Sequence, residues 1–321
     1  MHAASAPVRR RSNGPELPYA HHHFSNDGES PVPNRTPSQR SALHCPTPAP
    51  LPLTDLDFVP PPELGAGQRW STWSSIERLQ RGPAPRPSWV VTHDESIDTE
   101  LGVLKTGKEA DVFLVERRSA DGQASAVMAA KRYRDAEHRS FRRHAGYTEG
   151  RRIKDTREAR AVATKTRFGK QVAAGVWAQA EWGALVDLWS SGVPVPYPVQ
   201  IDEREILMEL VVDEAGDPAP RLAATRPTSD QLAAWFEQLR SALIVLSGKG
   251  IVHGDLSAYN ILAGRDGVVL IDLPQTLDLI ANPNGTDFLH RDCVNVCTWF
   301  ASKGFDCDGD GLFAELLAFA L

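Results

Sequence analysis

The chain has 321 residues, 41% hydrophobic and 24% charged, an ordinary globular composition that excludes a wholly disordered protein and supplies core material for one or two lobes. Its formal net charge of -6 gives no global case for nucleic-acid binding. No apolar run reaches the roughly 18 residues of a membrane span, and the basic run Arg9 to Arg11 leads into polar, Pro-rich sequence, so a soluble cytoplasmic protein without membrane contact is expected.

Thirteen of the 24 prolines fall in the first 62 residues, and residues 1–68 carry no apolar periodicity, so this stretch is expected to be a disordered tail. His21, His22 and His23 read as part of that solvated tract rather than as metal ligands. A short helical segment is expected over about 71–81, before the breaks at Pro83, Pro85 and Pro87. The apolar stretches Ala110 to Val115 and Val127 to Lys131, joined through Asp121-Gly122, predict a β-hairpin with a lysine at its far end. Between Lys131 and Lys170 stand 14 Lys or Arg against five Asp or Glu, which suits an insertion docking RNA phosphates or an acidic partner, or a solvated loop that merely attracts anions.

Apolar residues at Val172, Val176, Trp177, Ala184, Leu185 and Leu188 then predict a helix over 172–191, closed by Gly192 and Pro194, with Glu181 inside its stripe. A strand over Glu205 to Val211, a helix from about Thr228 to Gly248, a strand over Val268 to Ile271, and helices near 286–302 and 310–321 follow. The four cysteines (Cys45, Cys293, Cys297 and Cys307) include no CxxC pair. They are read as reduced, with Cys293 and Cys297 in the core, rather than as a disulfide framework or a zinc site.

Chemistry concentrates in Ile251 to Leu262, where Asp255 and Asn260 stand five residues apart behind His253, with a strand ending Leu270-Ile-Asp272 downstream. This is what phosphoryl transfer from ATP requires: a carboxylate to orient an attacking hydroxyl, and an amide oxygen plus a second carboxylate as hard ligands for Mg²⁺. Either acid alone would read as a turn or strand-end residue; the ordered combination carries the signal. Lys131 ends an apolar strand and Glu181 interrupts an apolar helix face, two costly orphans that pairing would neutralise while aiming the ammonium at nucleotide phosphates.

These residues resemble the RIO family of atypical protein kinases. The likeness rests on Thr106-Gly-Lys-Glu-Ala110, similar to the end of that family's STGKEA loop, and on His253-Gly-Asp-Leu-Ser-Ala-Tyr-Asn260, similar to its H-x-D-L-S-x-Y-N loop. Met208-Glu-Leu-Val211, Pro218-Ala-Pro-Arg-Leu222, Ile271-Asp272 and Phe288 to Asn295 extend it over about 90–321. The resemblance implies an α+β, two-lobed protein-kinase-like fold, with a small β-rich N-lobe over 69–211, including the N-terminal helix and basic insertion, and a truncated helical C-lobe over 212–321.

It further implies a serine/threonine protein kinase or ATPase using ATP and Mg²⁺. Asp255 would be the catalytic aspartate, Asn260 and Asp272 the metal ligands, and Lys131 with Glu181 the phosphate anchor. Thr106, Gly107 and Lys108 would form a turn over the phosphates. Backbone groups of Glu209 and Val211 would hold the adenine, and Met208 would line its back. Asp272 enters the catalytic set through the acyl-phosphate the resemblance suggests for ATP hydrolysis. The acceptor would be a protein, and ribosomal-subunit precursors would be partners of the basic insertion. Ser257 stands where ordinary protein kinases carry a lysine, and the 49 residues after Asp272 contain no APE element, which argues against an ordinary protein kinase. Lys105 replaces the family's usual Ser, and Leu273-Pro-Gln275 departs from its commoner sequence. Arg-rich, Ala-rich usage suggests a GC-rich bacterial genome.

Rival readings remain. His253-Gly-Asp-Leu256 also resembles the loop of aminoglycoside and choline kinases, and the basic insertion would suit a catalytically silent RNA- or ribosome-binding module. Gly102 to Lys108 matches all but the last position of a Walker A loop, yet Glu109 replaces the metal-binding hydroxyl and a strand is expected next instead of a helix. Asp306 to Gly311 opens like a calcium loop but has Leu317 at the position of the bidentate Glu, so a turn capping the last helix is expected.

Overall fold

The computed structural model describes residues 63–134, 167–273 and 276–320. The Pro-rich tract with its histidines and Cys45, the core of the basic segment (135–166) and the Pro274-Gln275 departure lie outside the described residues.

A six-stranded antiparallel sheet, in the order β1-β2-β3-β4-β6-β5, forms the first layer. Its strands are β1 (Gln68–Trp70), β2 (Ile97–Thr106), β3 (Ala110–Arg118), β4 (Ser125–Tyr133), β5 (Pro198–Asp202) and β6 (Glu205–Glu209). Gln68 pairs with Thr99, so the last residue of the expected tail is already in the sheet. The β3–β4 hairpin forms as expected, with Val112 opposite Lys131. Asp121, at its turn, accepts from the N–H of Gln123. The expected strand to Val211 stops at Glu209, whose N–H donates to the Tyr197 carbonyl at 2.9 Å beside the start of β5.

The pleat sorts β4 into two faces. Met128 and Ala130 point into a cluster with Trp73, Val90, Val115, Tyr197, Val199 and Leu207. Ala129 and Tyr133 face the larger core shared with the helices, and Lys131 falls on their side by the same alternation. Each fully buried large apolar side chain contributes about 1.5–3 kcal/mol, so both faces of the sheet are held against slippage.

Helix α1 (Arg167–Ser190) lies on the second face of that sheet. Its buried stripe is Ala174, Ala178, Trp182, Leu185 and Leu188, whereas Val176 is on the exposed side. The sequence pattern therefore named the helix but partly mistook its phase, because apolar residues surround it on most sides. The helix expected over 71–81 is instead a series of turns ending in one 3-10 turn, Arg78–Gln80. Eleven residues form a marginal helix without packing support, and here Trp73 and Ile76 are buried individually.

The remainder is mainly helical: α2 (Ser229–Gly248), α3 (Gly285–Ser302) and α4 (Gly309–Ala320), with short pairs β7 (Ile251–Val252)–β10 (Leu277–Asp278) and β8 (Ile261–Gly264)–β9 (Gly267–Leu270). Thr228 and Gln231 form a reciprocal capping box at the start of α2. At the start of α4 the Asp308 carbonyl accepts from Leu312 and its side chain from the N–H of Asp310, the helix-capping turn expected there. The cysteine reading needs correction: Cys297 and Cys307 form a disulfide with Cα atoms 5.0 Å apart, while Cys293 is free and buried. The turn after Ser302 folds back toward α3, which brings positions ten apart within bonding range. No helix among the described residues is long and apolar enough to cross a membrane.

Candidate active site

Between the sheet and the helical part lies a cleft of about 770 Å³. It is lined by Gly107, Lys108, Lys131, Glu181, Met208, Glu209, Val211, Asp255, Asn260 and Asp272, which are ten of the eleven residues singled out from sequence. The exception is Thr106, the last residue of β2. The stretch from Gly102 to Lys108 runs along β2 into a turn, closed by a bond from the Gly107 N–H to the Ala110 carbonyl at 3.0 Å, and β3 follows. A Walker A loop would lead into a helix there.

The Lys131 ammonium lies 2.6 Å from Glu181 Oε1 and 3.1 Å from Asp272 Oδ1. The Tyr133 hydroxyl donates to the other Glu181 oxygen. Burial opposes the charge on Lys131, but the two carboxylates outweigh it and hold its pKa above the ordinary lysine value. The Lys131 charge in turn keeps Asp272 below the usual carboxylate range, against the opposing effect of burial. Asp272 has φ +67, a left-handed conformation that non-Gly residues seldom adopt and that turns its carboxylate back into the cleft.

The loop after β7 is knitted to the segment that carries Asp272 just beyond β9. The N–H of Ile271 donates to the Asn260 carbonyl at 3.0 Å. His253 Nε2 bonds the Ile271 carbonyl at 3.1 Å, which puts the proton on that nitrogen and leaves Nδ1 to accept from the Asp255 N–H at 3.4 Å. Burial favours this neutral form by lowering the His253 pKa. Asn260 Nδ2 donates to the Asp255 carbonyl at 2.8 Å and to its Oδ2 at 3.3 Å, so its Oδ1 is the oxygen left for a ligand.

Asp292 on α3 supports the same loop and was not singled out from sequence. Its carboxylate accepts from the N–H of Gly254 at 2.7 Å and of Leu256 at 2.9 Å, and Arg291 donates to the Gly254 carbonyl. Burial pushes its pKa up to about 7, in spite of the two backbone bonds. Arg221 and the exposed Tyr259 also line the cleft.

Residues 111–311 match the RIO domain family. The chain belongs to that family. It is 36% identical over 223 residues to the RIO-type serine/threonine-protein kinase Rio1 of Haloferax volcanii, covering 70% of each chain. It is 31% identical over 147 residues to the protein of the same name from Thermoplasma acidophilum, covering 46% of this chain and 75% of that one. With Serine/threonine-protein kinase RIO1 of Chaetomium thermophilum it shares 29% over 218 residues, or 65% of this chain and 40% of the other. The chain thus spans well under two thirds of that eukaryotic relative. The curled antiparallel N-lobe sheet over a helical C-terminal part is the kinase-like arrangement of a RIO fold.

Proposed function

We propose that this RIO-family chain transfers the γ-phosphoryl group of ATP, with Mg²⁺, to a protein serine or threonine. The single observation carrying this reading is the convergence of Lys131 with Glu181 and Asp272 in one cleft with Asp255 and Asn260. Asn260 Oδ1 and the Asp272 carboxylate are hard oxygens of the kind Mg²⁺ takes, and bound Mg²⁺ supplies charge neutralisation at the phosphates. The Val211 N–H has no backbone partner among the described residues while its carbonyl accepts from Ala219, which suits a donor to an adenine ring nitrogen. Met208 lies beside Glu209 on the same wall.

In this reading Lys131 holds the phosphates, Glu181 holds Lys131, and Asp255, exposed at the mouth, orients the acceptor hydroxyl and takes its proton. Gly107 and Lys108 cover the phosphates from the β2–β3 turn. The two-lobe division near Val211 and the cytoplasm, where ATP is abundant, belong to the same proposal. The RIO family match favours this reading over the small-molecule phosphotransferase and the silent binding module.

The experiment is incubation of the full chain with γ-labelled ATP and Mg²⁺, with and without generic protein acceptors. Label stable to hydroxylamine on serine or threonine supports the kinase. Hydroxylamine-labile label lost on Asp272→Ala indicates ATP hydrolysis through an acyl-phosphate, and absence of any Mg²⁺-dependent turnover removes the proposal.

A further inference from the structure

Residues 71–91 lie upstream of Asp111, where the family match begins, and run as a strap over the sheet edge near β5. Its attachments are specific. The N–H of Gly82 donates to the Val199 carbonyl at 2.8 Å, the Tyr197 hydroxyl to the Pro83 carbonyl at 2.9 Å, and Gln200 Nε2 to Thr72 Oγ1 at 2.9 Å. Trp73 is buried with Val115, Met128 and Tyr197, and the guanidinium groups of Arg81 and Arg86 lie over its ring at 5.5 and 5.2 Å. At Gly82 there is no room for a side chain: a Cβ there would sit 2.0 Å from the Pro198 carbonyl oxygen.

From this anchored strap the Leu79 carbonyl accepts a hydrogen bond from Trp182 Nε1 at 3.2 Å. Trp182 is buried and immediately follows Glu181 on α1. Successive helical residues point about 100° apart around the axis. Glu181 therefore ties α1 to Lys131 in one direction while Trp182 ties it to the strap in another, and two such bonds fix the roll of the helix.

We propose that the strap braces α1, with Trp182 as a positioning residue that keeps Glu181 on Lys131. This rests on the reading of Lys131 and Glu181 as the phosphate anchor. Loosening the strap lets α1 roll, releases Glu181 from Lys131 and weakens the grip on phosphates while sparing the adenine wall, which is built on β6 and the segment after it.

The test uses the full chain and two independent variants: Trp182→Phe, which deletes the donor and keeps a smaller aromatic ring, and Gly82→Ala, which displaces the strap. Amide hydrogen exchange along α1 and titrations with ATP and with adenosine are the readouts. Both variants are expected to speed exchange in α1 and to weaken ATP binding about tenfold, with adenosine binding changed less than twofold. Leu79→Ser, which alters an exposed side chain and keeps the carbonyl, is expected to change neither. Unchanged α1 exchange in both variants overturns the brace, as does an equal loss of ATP and adenosine affinity. If the unmodified chain binds neither nucleotide, the proposed function fails, while the exchange comparison still decides whether the strap holds the helix.

Discussion

Lys131 and Asp272, 141 positions apart in the chain, meet at 3.1 Å across the cleft. This ion pair links the sheet to the strand end that would present the metal ligand. The two partners differ in exposure: the Asp272 side chain is 42% exposed, whereas that of Lys131 is 14% exposed and is also held by Glu181. Because Asp272 is the partly exposed partner and the buried Lys131 keeps Glu181, removing the Asp272 charge should cost only about 1 kcal/mol. Asp272→Asn should therefore shift Tm by no more than about 2–4 °C. If Asp272 holds Mg²⁺ as proposed, the same substitution should lower Mg²⁺-dependent ATP turnover by about 100-fold or more, equivalent to about 3 kcal/mol of barrier. Thermal melts and a phosphate-release assay on the same preparation check both halves, and a variant that melts far lower without losing turnover contradicts the assignment.

Glu181 is a different case because it is nearly fully buried and holds both Lys131 and the Tyr133 hydroxyl. Glu181→Ala leaves the ammonium with only the partly exposed Asp272 and strands a buried phenol. Removing one partner of a buried pair costs about 3–5 kcal/mol, and the remaining carboxylate should keep the loss near the lower end. Urea unfolding should show this as a lowered midpoint. Among folded molecules the Michaelis constant for ATP should rise more than kcat falls.

Much of this was legible because its signals are local. The β3–β4 hairpin follows from two apolar runs and Asp121-Gly122, and α2 from Thr228, Gln231 and the apolar period behind them. Glu181 and Lys131 stood out as charges in apolar company, and the same logic applied to α3 would have found Asp292, which lies among Leu289, Cys293 and Val296. Other features have no local signature. Asp98 and Arg117 form a buried bidentate pair at 2.7 and 2.9 Å across β2 and β3, yet each reads as an ordinary strand charge. The Cys297–Cys307 disulfide depends on how the turn between α3 and α4 closes, and spacing alone does not decide it. The strap's backbone bonds to β5 involve main-chain atoms, so side-chain identity reveals little of them.

Asp255 lies at the solvent-facing mouth of the cleft, and its Oδ2 accepts a 3.3 Å contact from Asn260 Nδ2. Asp255→Asn removes the carboxylate proposed as proton acceptor while keeping the size of the side chain. Phosphoryl transfer should slow by about 10²–10⁴-fold, the usual contribution of a positioned general base. ATP affinity should stay within about twofold, because Lys131, Asn260 and Asp272 are untouched. Equilibrium nucleotide titration beside single-turnover kinetics separates these effects, and a matching loss of affinity would move Asp255 from acceptor positioning to nucleotide binding.

Asp292 gives the cleft a pH dependence whose sign follows from its burial. With its folded pKa raised to about 7 from an ordinary 3.8, the native state holds a proton that the unfolded chain has released between about pH 4 and 7. Stability from this group therefore falls as pH rises through that window, by up to about 4 kcal/mol. Buried His253 acts with the opposite sign. Its folded pKa is lowered below 6.5, so the unfolded state binds the extra proton and stability rises as pH climbs toward 6.5 and above. The groups facing Asp292 are the backbone N–H groups of Gly254 and Leu256, together with Arg291 and Asp255. Asp292 and His253 contribute opposite slopes to the wild-type profile, and the difference between wild type and Asp292→Asn isolates the carboxyl. That difference should shrink as pH rises from 4 to 7, because only the wild type acquires the cost of a buried anion. At pH 4 the variant should already be less stable, since one of its amide positions presents a donor to a backbone donor. Urea melts in half-unit pH steps measure both, and a difference that grows with pH would show that the two backbone bonds outweigh burial and keep Asp292 ionised.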